Sequence, residues 1–293
     1  MFEYGASLID VARPNAGETI LDIGCGTGEL SNQLLNVAMQ SLNPTAESAA
    51  EPSIVDNDTI ETIVVGVDAD QNMVSRAQEL HPSVKFLTID IRSYLEGEKQ
   101  AMIEEQNIPK SFDLIFSNAA LHWIPANDMD NVIHTISQLM KPNGGRIVVE
   151  FGGQGNVQTV VAACQDVLRE QYGIQDFVTP WYFPSIAEFT TVLERHGIDV
   201  VSAELYDRPT KLSDPVNGMI DWLRMFGQSF MDAALTTGYD EGASSETEDT
   251  TTHRYDKELM FLTAVNERLR SKLYDGTQWF ADYRRIRVVG YRR

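Results

Sequence analysis

Cysteine is almost missing from this chain: Cys25 and Cys164 are the only two in 293 residues. Thiols so far apart supply neither a disulfide framework nor a metal-binding spacing, and they fit a reducing compartment. Basic residues are scarce as well. Lys and Arg number 23 against 43 Asp and Glu, a formal charge of -20 with an isoelectric point near 4.5. A chain this acidic is repelled by phosphate backbones and anionic lipid surfaces, so neither nucleic acid nor membrane is expected as a partner. No apolar run approaches the roughly 18 residues needed to cross a bilayer. The opening stretch MFEYGASLIDVARPNAGE carries Glu3 and Asp10 in place of the basic, then apolar, pattern of a secretory signal. The expectation is a cytoplasmic protein. What the chain does have is 43% hydrophobic residues, enough for one large α/β domain or a domain plus a cap.

Short apolar runs alternate with helical patterns. TILDIG (Thr19 to Gly24), TIVVGVD (Thr62 to Asp68), VKFLTID (Val84 to Asp90), FDLIFSN (Phe112 to Asn118) and GGRIVVEFGG (Gly144 to Gly153) read as strands. Leu30, Leu34, Leu35 and Ala38 recur at helical spacing, Asp70 is placed to cap a second helix, and helices are expected over 128–140 and 157–172. Strands apolar on both faces and separated by helices specify a mostly parallel sheet covered on both sides. Residues 40–61 and 96–111 read as polar surface insertions, and the acidic run 236–253 as a mobile linker. Later, Ser185 with Glu188 predicts a capping box and Gly197 a helix stop; strands follow over 198–208 and at the C-terminus, with two helical segments between them. The expected layout is a core of residues 1–207 and 275–293 with a helical cap over 208–274.

The first strand ends in DIGCGTG, with Gly24, Gly26 and Gly28 at alternate positions and Asp22 two residues before the first. A nicotinamide fingerprint is G-x-G-x-x-G, and a carboxylate beside that loop would repel a pyrophosphate while suiting a cationic amino-acid tail. In such folds ligands sit beyond the carboxyl ends of the strands, where Asp68 would take ribose hydroxyls and Asp90, beside Ile91, an adenine amino group. LDIGCGTGEL, VVGVDAD, LTIDI and FDLIFSNAALHWI, in that order, together resemble the motifs of class I S-adenosylmethionine-dependent methyltransferases. SNAALHWIP, YFPSIAEFTTVLERHG and the stretch from DRPTKL to MIDWLRMFG are similar to the trans-aconitate methyltransferase-like branch. The resemblance implies a Rossmann-like, seven-stranded, mostly parallel sheet with helices on both faces and a helical cap before the last strand. It implies S-adenosylmethionine as cofactor, with Asp22, Gly24, Gly26 and Gly28 around its methionine part, Asp68 at the ribose, Asp90 and Ile91 at the adenine, Asn118 with Ala119 behind the sulfonium, and Ala69 among the cofactor-binding residues. Cys25 lies in the same loop as a small packing residue. No metal site is expected.

A carboxylate acceptor of the methyl group needs no base, whereas a hydroxyl or an acidic carbon does. His122 is the candidate base, because NAALHW leaves the fourth strand at the active edge; His81, His134 and His196 read as cap or surface residues. Trp123, Trp181, Tyr182, Phe183, Trp222, Met225 and Phe226 are expected near a pocket mouth or in the cap core, and Arg208, Lys211 and Arg224 could clamp an anionic substrate. The arginines at 284, 285, 287, 292 and 293 read as a solvated strand face. The activity expected is methyl transfer to a small molecule, at a carboxylate or hydroxyl of a metabolite. The alternatives are an accessory or pericyclase-like protein that keeps the fold without methylating and a nicotinamide oxidoreductase, which the glycine spacing disfavours.

Overall fold

In the computed structural model, which describes residues 2–41, 61–236 and 248–293, the β-branched runs form the strands and the amphipathic stretches pack onto them. In chain order the elements are α1 (Phe2–Ala12), β1 (Thr19–Ile23), α2 (Glu29–Gln40), β2 (Ile63–Asp68), α3 (Gln71–Leu80), β3 (Lys85–Thr88), α4 (Gly97–Glu105), β4 (Leu114–Asn118), α5 (Ala126–Leu139), β5 (Arg146–Gly152), α6 (Gln158–Tyr172), α7 (Ile186–Arg195), β6 (Ile198–Lys211), α8 (Gly218–Phe226), α9 (Gln228–Thr236), α10 (Glu248–Leu273) and β7 (Phe280–Arg292). Short 3₁₀ turns cover Ile91–Ser93 and Leu121–Trp123. Most of the stretches 40–61 and 236–253 lies outside the described residues; 248–253 belongs to α10.

The strands form one sheet in the order β3-β2-β1-β4-β5-β7-β6. β1 pairs in parallel with β2 and β4, β2 with β3, and β4 with β5. β7 runs the other way: the Arg292 amide bonds to the Gly145 carbonyl while the Arg287 side chain meets Glu150, so rising numbers on one strand face falling numbers on the other. The strand order reverses between β1 and β4, and such a switch point opens a crevice at the carboxyl ends of the strands.

Residues 1–153, 184–205 and 286–293 make one compact unit. Its core stacks Leu8, Ile9 and Ala12 of α1, Leu34 of α2 and Val74 and Ala77 of α3 on Ile20, Val64, Phe86, Phe116 and Val148 of the sheet. Two predicted caps form here: Asp70 accepts from the Asn72 amide at 2.8 Å, and Ser185 and Glu188 complete a reciprocal capping box at the start of α7. The stretch 96–111 differs from its reading as a surface insertion. It holds α4, whose Ile103 is buried, as is Ile108 beyond it.

Residues 154–183 and 206–285 make the second unit, wider than the 208–274 expected for a cap because it takes in α6 and the segment after it. Three helices, α8, α9 and α10, lie between β6 and β7 in the chain where the sequence pattern predicts two helical segments, because the first of these breaks at Gly227 into α8 and α9. This unit has its own core, in which Trp181 packs against Phe183, Trp222 and Phe230, and Trp222 donates to the Tyr283 hydroxyl at 2.6 Å. Of the two readings given to Trp181, Phe183, Trp222 and Phe226, this is the packing one. Among the described residues no helix is long and apolar enough to cross a membrane.

Candidate active site

A cleft of about 680 Å³ opens at the carboxyl ends of β1, β2, β3 and β4, within the first unit. Asp22, Gly24, Cys25, Gly26, Asp68, Ala69, Asp90, Ile91, Asn118 and Ala119, ten of the eleven expected cofactor residues, line it. Gly28 does not. It caps α2 in a left-handed conformation, φ 86°, with Phe86 and Ala77 so close that a Cβ there would lie 2.6 Å from the Phe86 ring. Its glycine serves packing and helix entry.

The loop between β1 and α2 holds itself. The amides of Gly24 and Cys25 both donate to the Val67 carbonyl, at 2.8 and 3.1 Å, and the Gly28 amide donates to Cys25 at 3.0 Å. The Gly26 amide donates to Asp68 Oδ2 at 2.9 Å. Four amides that a phosphate-binding loop would direct at its ligand are therefore spent inside the protein. What the loop offers is space: a Cβ on Gly26 would meet no atom within 4 Å. Gly24 is the tight position, with φ 72° and a hypothetical Cβ only 2.1 Å from that of Ala120. Gly24→Ala should therefore displace the loop after β4, lowering stability by more than the 1–3 kcal/mol or so typical of left-handed strain alone and closing the cleft. Chemical denaturation and cofactor titration of the variant would check this; wild-type values for both would contradict it.

Asp22 is buried at 2% exposure and accepts from the Ser31 hydroxyl at 2.5 Å. Burial pushes its carboxyl up to about 7; the Ser31 bond opposes that rise and Asp68 adds to it. Cys25 is buried too, and burial with the two carboxylates nearby drives its thiol far above the ordinary value, consistent with packing and not nucleophilic attack. Asp68 keeps capacity to spare: Oδ2 accepts from Gly26 and Oδ1 from the Asp70 amide at 3.0 Å, one donor on each oxygen. Asp90 is more committed. Oδ1 accepts from the Arg92 amide and Nε, and Oδ2 from Arg92 Nε and Nη2, which leaves little for an adenine amino group and holds the Asp90 carboxyl below its ordinary value. Arg92 was not foreseen; it lines the cleft and ties Asp90 to Asp128 at the start of α5. Asn118 presents a buried Oδ1 with no hydrogen-bond partner, and Ala119 holds a left-handed φ of 59° with its amide on the Glu150 carbonyl.

His122 lies elsewhere. Leu121 and Trp123 line the cleft, whereas His122 is buried with Nδ1 accepting from the Gly152 amide at 3.4 Å, and it is absent from the lining. Trp123 is 47% exposed at the edge, as its pocket-mouth reading has it. Glu29, which accepts from Thr27 Oγ1 at 2.6 Å, also lines the cleft and was not foreseen. Arg224 is engaged by Glu258 at 3.3 Å. Among the described residues no cluster of His, Cys, Asp and Glu could hold a metal ion.

The lining carries five carboxylates, from Asp22, Glu29, Asp68, Asp70 and Asp90, against the single guanidinium of Arg92. Such a cleft repels a pyrophosphate and fits a cationic nucleoside: carboxylates for an ammonium and for ribose hydroxyls, apolar Ile89, Ile91 and Met73 for a base, and an unpartnered amide oxygen. Fold and cleft together define a class I S-adenosylmethionine-dependent methyltransferase.

Comparison with known proteins agrees. Residues 14–197 match the Methyltransferase domain family, and the chain belongs to it. It is 29% identical over 288 residues, 95% of this chain and 88% of the relative, to an uncharacterized methyltransferase of Schizosaccharomyces pombe. It is 28% identical to the trans-aconitate 2-methyltransferase of Deinococcus radiodurans over 43% of this chain and 34% of that one. The crystal structure of the YcgJ protein of Bacillus subtilis superposes with a TM-score of 0.57 at 15% identity, covering 100% of this chain and 99% of the other, which shows the shared fold.

Proposed function

We propose that this enzyme methylates a small-molecule metabolite at a carboxylate or hydroxyl oxygen, with its cofactor held in the acidic cleft at the β1/β4 switch point. The observation that carries the reading is that cleft's composition: a glycine loop whose amides are already bonded, ringed by carboxylates. Bound S-adenosylmethionine supplies an electrophilic methyl group on a sulfonium. In this reading Asp22 pairs with the ammonium, and Asp68, beside Ala69, accepts from the ribose hydroxyls. Ile91 covers the base with Asp90 at its edge, and Asn118 and Ala119 back the sulfonium. Gly24, Cys25 and Gly26 shape the floor, and Gly28 supports them from beneath. Enclosure and alignment then supply much of the rate of an in-line displacement.

The acceptor is inferred from two supports. A relative that shares the family is named for methylating trans-aconitate, a carboxylic acid. The second is that, among the described residues, the cleft lining offers no nitrogen base to remove a proton. No His or Lys lines the cleft, and a carboxylate acceptor requires neither.

The test is calorimetric titration with S-adenosylmethionine, then a screen of carboxylic acids, alcohols and amines for release of S-adenosylhomocysteine with mass-spectrometric detection of the methylated product. Cofactor binding followed by ester or ether formation is the expected result. A folded sample that binds no cofactor, or one that transfers methyl only to amines, would overturn the proposal.

A further inference from the structure

The Asp22 carboxylate sits in surroundings that resist its ionisation. The ionisable groups that act on it electrostatically, Cys25 on the following loop and Asp68 at the end of β2, are both acidic. No cation offsets this group among the described residues that line the cleft beside it; Arg92 is bound to Asp90 and Asp128. Among the described residues the one group donating to Asp22 is the Ser31 hydroxyl, fully buried on the first turn of α2 and 2.5 Å from Oδ2. Among the described residues Oδ1 has no donor.

We propose that Ser31 is a positioning residue for cofactor recognition: its hydroxyl holds the Asp22 carboxylate ionised and fixed in rotation, leaving Oδ1 to meet the ammonium of the amino-acid tail. This rests on the reading of Asp22 as the ammonium's partner. The physical reason is that a hydroxyl donor favours the charged form of a carboxylate that burial would otherwise protonate, and a protonated Asp22 would lose the charge attraction for an ammonium. Below neutral pH, binding must release the proton, so affinity depends on how strongly Ser31 competes with it. Helix α2 begins two residues before Ser31, at Glu29, so the hydroxyl is fixed to the same turn that closes the glycine loop.

The experiment measures binding and not turnover. Wild type, Ser31→Ala, Ser31→Thr and Asp22→Asn are titrated by calorimetry with S-adenosylmethionine and with 5′-methylthioadenosine, which keeps the sulfur nucleoside but lacks the ammonium and carboxylate. Ser31→Ala should weaken the full cofactor roughly 10- to 100-fold at pH 7, the loss of one hydrogen bond to a charged group. It should leave 5′-methylthioadenosine unchanged, and its deficit should narrow toward pH 9 as the carboxyl ionises unaided. Ser31→Thr, which keeps the hydroxyl, should restore binding. Titration in buffers of different ionisation enthalpy should show more protons released per cofactor bound by the Ala variant at pH 7. Equal weakening of both ligands would mean a merely structural serine, and an unchanged affinity for the full cofactor would also overturn the inference. If Asp22→Asn itself leaves cofactor affinity intact, it is the underlying reading of Asp22 that fails.

Discussion

Asp22→Asn should abolish useful cofactor affinity and at the same time make the ligand-free chain more stable above neutral pH. The two effects have one origin. The carboxyl of Asp22 ordinarily ionises near 3.8, and burial in the cleft wall raises that to about 7. Between these values the folded chain keeps a proton that the unfolded chain has released, so this group's contribution to stability falls as pH rises through that window. Above pH 7 the full penalty is present, and a rise of about three units at about 1.4 kcal/mol each puts it on the order of 4 kcal/mol. Asparagine keeps the shape and can still accept from Ser31, but has no charge to desolvate. The difference in unfolding free energy between variant and wild type should therefore be small near pH 4 and grow in favour of the variant toward pH 8. Binding moves the other way, since an ammonium loses its charged partner, and a loss of roughly 100-fold or more is expected. Denaturant melts at several pH values, read beside calorimetry, separate the two; a variant no more stable than wild type at pH 8 contradicts the account.

Such a site stores instability where it needs charge, and the sequence announced that much through Asp22 standing before an alternate-glycine loop. Periodicity and turn residues also located the five parallel strands and the capped starts of α3 and α7, because those signals are local. What escaped was relational. Val67 and Asp68 lie more than 40 positions from the loop whose amides they take, so nothing in the sequence around the glycines shows that those amides are already bonded. Arg92 stands two residues from Asp90 in the chain, yet its bridge to Asp128 exists only once α5 is in place. His122 was misjudged for a geometric reason. It occupies a 3₁₀ turn, where successive side chains point about 120° apart, so when Leu121 and Trp123 face the cleft the residue between them turns away toward Gly152. The stretch holding α4 lacks helical amphipathicity, which is why it read as a polar insertion.

Asp68→Ala separates the nucleoside end of the cleft from the amino-acid end. The wild-type carboxylate performs two duties, fastening the loop through Gly26 and the entry to α3 through Asp70, and in the proposed reading accepting from the ribose with the lone pairs that remain. Truncation leaves both amides without their acceptor and removes the ribose contacts, each hydrogen bond to a charged group contributing roughly 1.5–3 kcal/mol. A loss of at least about 100-fold in S-adenosylmethionine affinity is expected. Unlike Asp22→Asn, this change should weaken 5′-methylthioadenosine just as much, because that ligand retains the ribose. Asp68→Asn provides the graded case: its amide oxygen can replace one acceptor, but its NH₂ faces a donor amide, so an intermediate loss should follow. The decisive comparison is the ratio of the two ligands' affinities across the three variants. It should stay near the wild-type value for both Asp68 changes and collapse for Asp22→Asn; a 5′-methylthioadenosine affinity indifferent to Asp68 would remove the ribose from that strand end.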